Sequence, residues 1–168
     1  MKKIVLSMLL MLSVEGIYAQ TTASFQVQAT IENGCELSNA EQLINFGRHP
    51  VASQDKHMWG GVNTVQSWNI RCTSQLPVKI MLNAGDSFSN SSRHMKHSQK
   101  NEFVPYQLYQ DSNLQNEYVS GNAYSLTPTT ALNPLLNFSV FGLANLDNNN
   151  QPRSVGLYKD SVAITITW

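Results

Sequence analysis

The one spacing that recurs along this chain is period two. Phe25, Val27, Ala29 and Ile31 alternate with Gln26, Gln28 and Thr30, and Trp68, Ile70 and Cys72 share a face opposite Asn69 and Arg71. Val78, Ile80 and Leu82 repeat the pattern after Pro77, a residue that can open a strand but not sit at its centre. Val104, Tyr106 and Leu108 follow, then Leu136, Phe138 and Val140, and finally Val162, Ile164, Ile166 and Trp168. Leu43 to Phe46 adds a short apolar run closed by Gly47. Helical spacing is nearly absent, so the residues read as seven or more short strands. The stretches between them, such as Asn83-Ala-Gly-Asp86, Ser89-Asn-Ser-Ser92 and Asn148-Asn-Asn-Gln-Pro152, carry turn chemistry. Many short strands separated by turns and no long helix predict an all-β sandwich. No internal repeat divides the body.

The start of the chain reads differently. Lys2 and Lys3 precede an apolar block, Ile4 to Val14, and Ile17-Tyr-Ala19 ends on a small residue before polar Gln20-Thr-Thr22. That order is the pattern of a secretory signal peptide, with cleavage expected after Ala19; a buried N-terminal helix is the alternative. No later segment approaches the roughly 20 apolar residues a spanning helix needs, so membrane insertion is not expected. Charge adds a second constraint. The chain has 11 Lys+Arg against 11 Asp+Glu, and only 13% of its residues are charged. Nucleic-acid binding needs a basic stripe to displace counterions, and none is present. A polybasic membrane contact and electrostatic steering of a charged partner are disfavoured for the same reason.

Cys35 and Cys72 are the two cysteines of the chain. In an oxidising compartment they read as one disulfide, worth roughly 4 kcal/mol in the chain-entropy account, with two buried free thiols as the alternative. Zinc is disfavoured, because there is no CxxC and the histidines are not spaced to complete a site.

The two ends gain meaning when read together. The alternating segment Phe25 to Ile31 is set off from the body by Glu32-Asn-Gly34, and the last alternating segment runs to Trp168. A sandwich whose final strand has nothing beside it keeps an open edge, which invites aggregation unless it is covered. A strand borrowed from another chain is one way to cover it.

Catalytic and ligand chemistry finds little support. His94 and His97 sit in Arg93-His-Met-Lys-His97 beside a Ser/Asn-rich turn, where they are expected to face water rather than a metal. His49 and His57 flank another loop. No GxSxG, HExxH, P-loop or GxGxxG occurs, so no catalytic residue, metal or cofactor is expected. Tyr106, Tyr109, Tyr118 and Tyr124 are the candidates for a sugar-stacking platform, but Tyr is also an ordinary strand residue. Asn90 and Asn137 match the glycosylation sequon, Asn137 within a predicted strand.

Several of these segments together resemble a known family. Phe25-Gln-Val-Gln-Ala-Thr-Ile31-Glu-Asn-Gly-Cys35 resembles the N-terminus of spore coat protein U-like secreted pilins, the subunits of archaic, Csu-type chaperone–usher pili. Leu43-Ile-Asn-Phe46-Gly47 and Ile70-Arg-Cys72 are similar to their second signature and to the strand with the second cysteine. Arg93-His-Met95 and Tyr106-Gln-Leu-Tyr109-Gln-Asp111 resemble their Arg-x-Leu and Tyr-x-Leu-Tyr-x-Asp elements, and Gly156-Leu-Tyr158-Lys-Asp160 their closing Gly-x-Tyr-x-Asp. Met95 stands where Leu is usual, and the loop from Ser112 to Asn122 lacks the tryptophan that often follows the family's Asp.

The resemblance implies an incomplete immunoglobulin-like sandwich that lacks its last strand. A periplasmic chaperone lends a strand first, and at an outer-membrane usher the N-terminal strand of the next subunit replaces it. On this reading residues 1–19 are the signal peptide, 20–34 the donor segment and 35–168 the pilin domain. Phe25, Val27, Ala29 and Ile31 would enter the groove of a neighbour, and Val162, Ile164, Ile166 and Trp168 would form one wall of their own groove. Burying four such side chains is worth about 5–10 kcal/mol gross. The expected function is a structural subunit of a surface pilus, exported through the periplasm and serving adhesion and biofilm formation. The alternative is a secreted single-domain sandwich that binds glycans or matrix without polymerising.

Overall fold

The computed structural model describes residues 26–30, 32–38, 40–62, 68–73, 76–127 and 135–168. The signal peptide expected over 1–19 lies outside them, as do Phe25 and Ile31. The chain divides into two units, 1–31 and 32–168. In the first, residues 26–30 form no strand and are exposed, Val27 at 86%.

The second unit is all-β among its described residues. Its strands are β1 (Cys35–Ser38), β2 (Met58–Val62), β3 (Asn69–Cys72), β4 (Lys79–Leu82), β5 (Phe88–Ser89), β6 (Ser92–His97), β7 (Phe103–Tyr109), β8 (Ala123–Ser125), β9 (Leu135–Asn137), β10 (Val140–Ala144), β11 (Tyr158–Lys159) and β12 (Ile164–Thr167). All pair antiparallel, in three sheets: β1-β3-β9, β12-β4-β8, and β11-β6-β7-β10-β2 with β5 against β6. Period-two alternation gives each sheet an apolar face. The first sheet contributes Ile70, Cys72 and Leu136, the second Ile80 and Leu82, and the third Met58, Val62, Val104, Tyr106, Leu108, Val140 and Ala144, all in one buried cluster. Trp68, just ahead of β3, stacks on Phe138 with ring centroids 4.9 Å apart and planes 3° from parallel.

The predicted strands at 68–72, 78–82, 104–108, 136–140 and 162–168 correspond to β3, β4, β7, the β9–β10 pair and β12. The chain changes sheets between β9 and β10, across Phe138-Ser139. Three readings need correction. Leu43 to Phe46 is not a strand. Its Ile44 and Phe46 lie over Gly60 of β2 and Gly142 of β10, which face each other directly across the ladder and leave a window for the two side chains. Met58–Val62, with two glycines, and Ser92–His97 are strands that the apolar pattern did not reveal. In β6 the inward side chains are Arg93, Met95 and His97, and the two buried ones, Arg93 and His97, are polar, so the alternation is present with little apolar signal. His97 therefore does not face water: its Nε2 bonds the Val155 carbonyl, and its Nδ1 accepts from the Gln99 and Lys100 amides.

The glycine window is testable. A Cβ on Gly142 would lie 2.7 Å from the Phe46 ring. Gly142→Ala should lower unfolding free energy by about 1–3 kcal/mol, as overpacking does. Phe46→Ala in the same chain should recover part of that loss, a coupling that denaturant unfolding of the double-mutant cycle would read.

Candidate functional site

Two sheets end in edge strands that flank one cleft. β1 pairs only with β3 and β12 only with β4 among the described residues. Between them lies an opening of about 260 Å³ lined by Cys35, Leu37, Ile70, Ile164, Ile166 and Trp168. Every lining side chain is apolar or disulfide-bonded. Ile70 is fully buried at the floor, whereas Leu37 and Trp168 remain exposed, Trp168 at 56%.

The hydrogen-bond register decides what the edges offer. In an antiparallel pair, opposed residues alternate between exchanging backbone bonds and pointing those groups away. The Thr73 amide donates to the Gly34 carbonyl at 3.0 Å, which makes 34/73 a bonded pair. Cys35↔Cys72 and Leu37↔Ile70 are then the unbonded positions of the same ladder. Across the cleft the Asn83 amide donates to the Ala163 carbonyl at 3.0 Å, so Ile164↔Leu82 and Ile166↔Ile80 are unbonded. The backbone groups of Cys35, Leu37, Ile164 and Ile166 therefore point outward along the two edges. The side chains of those same four residues line the cleft.

The cysteines expected to pair do so: Cys35 and Cys72 form a disulfide across directly opposed positions of β1 and β3. It pins the edge strand β1 to the sheet behind it. Of the residues expected to form the groove wall, Ile164, Ile166 and Trp168 line the cleft, with Trp168 just past the end of β12. Val162 precedes β12 and is half-buried against the core, but it is not among the lining residues. Of the expected donor side chains, Val27 and Ala29 are exposed in the first unit, and Phe25 and Ile31 lie outside the described residues. Leu37 and Ile70 were not singled out as site residues by the sequence. Leu37 gave too short a signal, a single apolar position between Glu36 and Ser38.

The tyrosine platform does not assemble. Tyr106, Tyr109 and Tyr118 are buried and Tyr124 is half-buried. Tyr118 packs edge-on against Tyr124 with centroids 5.0 Å apart and donates its hydroxyl proton to the Ser139 carbonyl. Burial pushes the Tyr118 phenol up to about 12, with the neighbouring Tyr124 adding to it. These phenols are internal posts. Asn137 falls in β9, and Asn90 sits in a turn at φ 49°.

The motif residues, which do not line the cleft, have a structural use. The Tyr106 hydroxyl donates to Asp160 Oδ2 at 2.6 Å, and the Asp86 amide donates to Asp160 Oδ1 at 2.8 Å. Burial drives the Tyr106 phenol well above its usual range, and the bond to Asp160 pushes the same way. Arg93 donates from Nε and Nη2 to the Asn83 carbonyl and from Nη1 to the Tyr118 carbonyl. Asp111 folds its loop by accepting from the Gln115 and Asn116 amides.

The strands form an all-β, immunoglobulin-like sandwich, and comparison with solved structures bears on the fold alone. The chain is similar to the structure described as the CsuC–CsuE chaperone–tip adhesion subunit pre-assembly complex from archaic chaperone–usher Csu pili of Acinetobacter baumannii, with a TM-score of 0.55 and 21% identity. That match covers 83% of this chain but 40% of the other, so this chain spans well under half the length of that relative. It is also similar to the P pilus rod subunit PapA, with a TM-score of 0.52 and 11% identity over 79% of this chain and 97% of that one. No curated protein sequence matches it. The chain belongs to the spore coat protein U domain family, whose model matches residues 21–165.

The alternation in β12 sets an expectation. Ile164→Asp, at a half-buried position facing the cleft, should cost about 2 kcal/mol or more. Thr165→Asp, on the exposed face, should cost no more than about 1 kcal/mol. Thermal unfolding of the two variants would check it.

Proposed function

We propose that this chain is a structural subunit of a chaperone–usher pilus that polymerises by donor-strand exchange. The observation that carries the reading is the cleft between β1 and β12. It has an apolar lining, and the outward backbone groups of Cys35, Leu37, Ile164 and Ile166 edge it on both sides. A strand seated there would pair with both edges and bury alternate side chains on the floor. The segment Phe25-Gln-Val-Gln-Ala-Thr-Ile31 has the composition of such a strand: four apolar residues at period two, with polar residues between. Each backbone bond would add roughly 0.5–1.5 kcal/mol net, and ordering the free segment offsets part of the gain.

The partners follow from this mechanism. An unfilled cleft exposes apolar surface and two open edges, so the subunit needs a temporary strand from a periplasmic chaperone before assembly. The CsuC–CsuE structure is described as a chaperone–subunit pre-assembly complex, which supports that partner by analogy. An outer-membrane usher would exchange that strand for residues 20–34 of the next subunit. Export would begin with the signal peptide over 1–19 and end at the cell surface, where the fibre serves adhesion and biofilm formation. The protein acts by pairing strands and is not an enzyme.

The test separates the two faces of the donor. Val27→Asp should abolish multimer ladders on unboiled denaturing gels, because an unpaired buried carboxylate costs several kcal/mol. Gln26→Asp, on the outward face, should leave the ladders intact. Equal effects at both positions would exclude a one-face insertion. A wild-type chain that forms no multimers would favour the non-polymerising, glycan- or matrix-binding reading.

A further inference from the structure

Among the described residues β12 is an edge strand with one ladder partner, β4, yet its root is fastened to a second sheet. Asn83, the residue after β4, carries much of that fastening. Its amide donates to the Ala163 carbonyl at 3.0 Å, and its Oδ1 accepts from the Ala163 amide at 2.9 Å and the Gly85 amide at 3.0 Å. Its own carbonyl is gripped by Arg93 of β6, from Nε at 3.0 Å and Nη2 at 2.8 Å. Asp160, four residues ahead of β12, is held by the Tyr106 hydroxyl from β7 and by the Asp86 amide. Gly85, at φ 78°, leaves the space its carboxylate fills: a Cβ there would overlap Asp160 Oδ2. β6 and β7 belong to the large sheet and β4 and β12 to the three-stranded sheet β12-β4-β8, so this network joins those two sheets at the root of β12.

From this geometry we infer that Asn83, Tyr106 and Asp160 are positioning residues, which keep the unfilled edge of β12 in place for an incoming strand. The inference rests on the strand-exchange reading above. An edge strand with a single partner loses little by fraying, and a frayed β12 offers no row of backbone groups to pair with. Ligand affinity falls in proportion to the fraction of molecules in the competent arrangement, so a network that raises that fraction raises capture of the donor. Once a donor is seated, its own backbone secures β12 and the network becomes partly redundant. A merely structural network would matter equally in both states.

The probe is a fluorescein-labelled peptide of residues 20–34, titrated with the exported chain carrying Val27→Asp, which keeps its own cleft but cannot donate a strand to a neighbour, and read by anisotropy. Tyr106→Phe, which removes only the hydroxyl, and Gly85→Ala, which displaces the carboxylate, are each expected to weaken peptide capture roughly tenfold. The same substitutions are then made in a chain carrying a second copy of residues 23–31 behind Trp168 through a short Gly/Asn linker. There they should lower the melting temperature by less than they do in the chain without the fused strand. A variant that folds only when fused supports the inference. Unchanged peptide affinity in both variants, or equal losses of melting temperature with and without the fused strand, would overturn it. If the Val27→Asp chain, with Tyr106 and Gly85 intact, does not take up the peptide at all, the strand-acceptor reading itself fails, and this inference fails with it.

Discussion

Backbone hydrogen bonding is the constraint on which the rest of this fold depends. A sheet interior pairs both sides of every strand, and water or another strand must serve whatever remains. In this chain the residues left over at β1 and β12 are also those whose side chains line an apolar cleft. Water can satisfy the outward amides and carbonyls of Cys35, Leu37, Ile164 and Ile166, but it is a poor neighbour for Ile164, Ile166, Leu37 and Trp168. A β-strand serves both needs at once, since its backbone pairs with the edges and its alternate side chains fill the floor. This coincidence of unpaired backbone and uncovered apolar surface distinguishes the cleft from an ordinary edge blunted by charge or proline.

Buried polar groups of the body tie its loops to its sheets. Arg93 and Arg153 are buried, and each uses its guanidinium fork to collect backbone carbonyls that no ladder reaches. Buried arginine is tolerated where every donor finds an acceptor, and here those acceptors join loops to sheets. The Cys35–Cys72 bridge does for β1 what Asn83 and Asp160 do for β12. Each edge strand is secured from behind or at its root, and the side facing the cleft is left clear.

How much of this the sequence showed depends on what faces inward. Where apolar residues alternate, as in Val78-Lys-Ile80-Met-Leu82 or Ile164-Thr-Ile166, the strand was legible and its buried face was the expected one. Where the inward residues are polar, as at Arg93 and His97, or absent, as at Gly60, the pattern carried no signal. Phe46 misled in the opposite sense: its apolar run marks a loop lying across glycines. The disulfide was readable from compartment and cysteine count, and the far wall of the cleft from the last alternating segment. Leu37 and the register that turns backbone groups outward were not, because pairing is set by tertiary neighbours and a four-residue strand has almost no periodicity to read.

Amide hydrogen exchange, resolved to single residues in the unassembled chain and in the fibre, tests the account most directly. The amides of Cys35, Leu37, Ile164 and Ile166 should exchange quickly in the unassembled chain and slow by about a hundredfold or more in the fibre. The inward amides of Glu36 and Thr165 should be protected in both. If the four outward amides are already protected before assembly, or stay unprotected in the fibre, β1 and β12 do not receive a strand and the account is wrong.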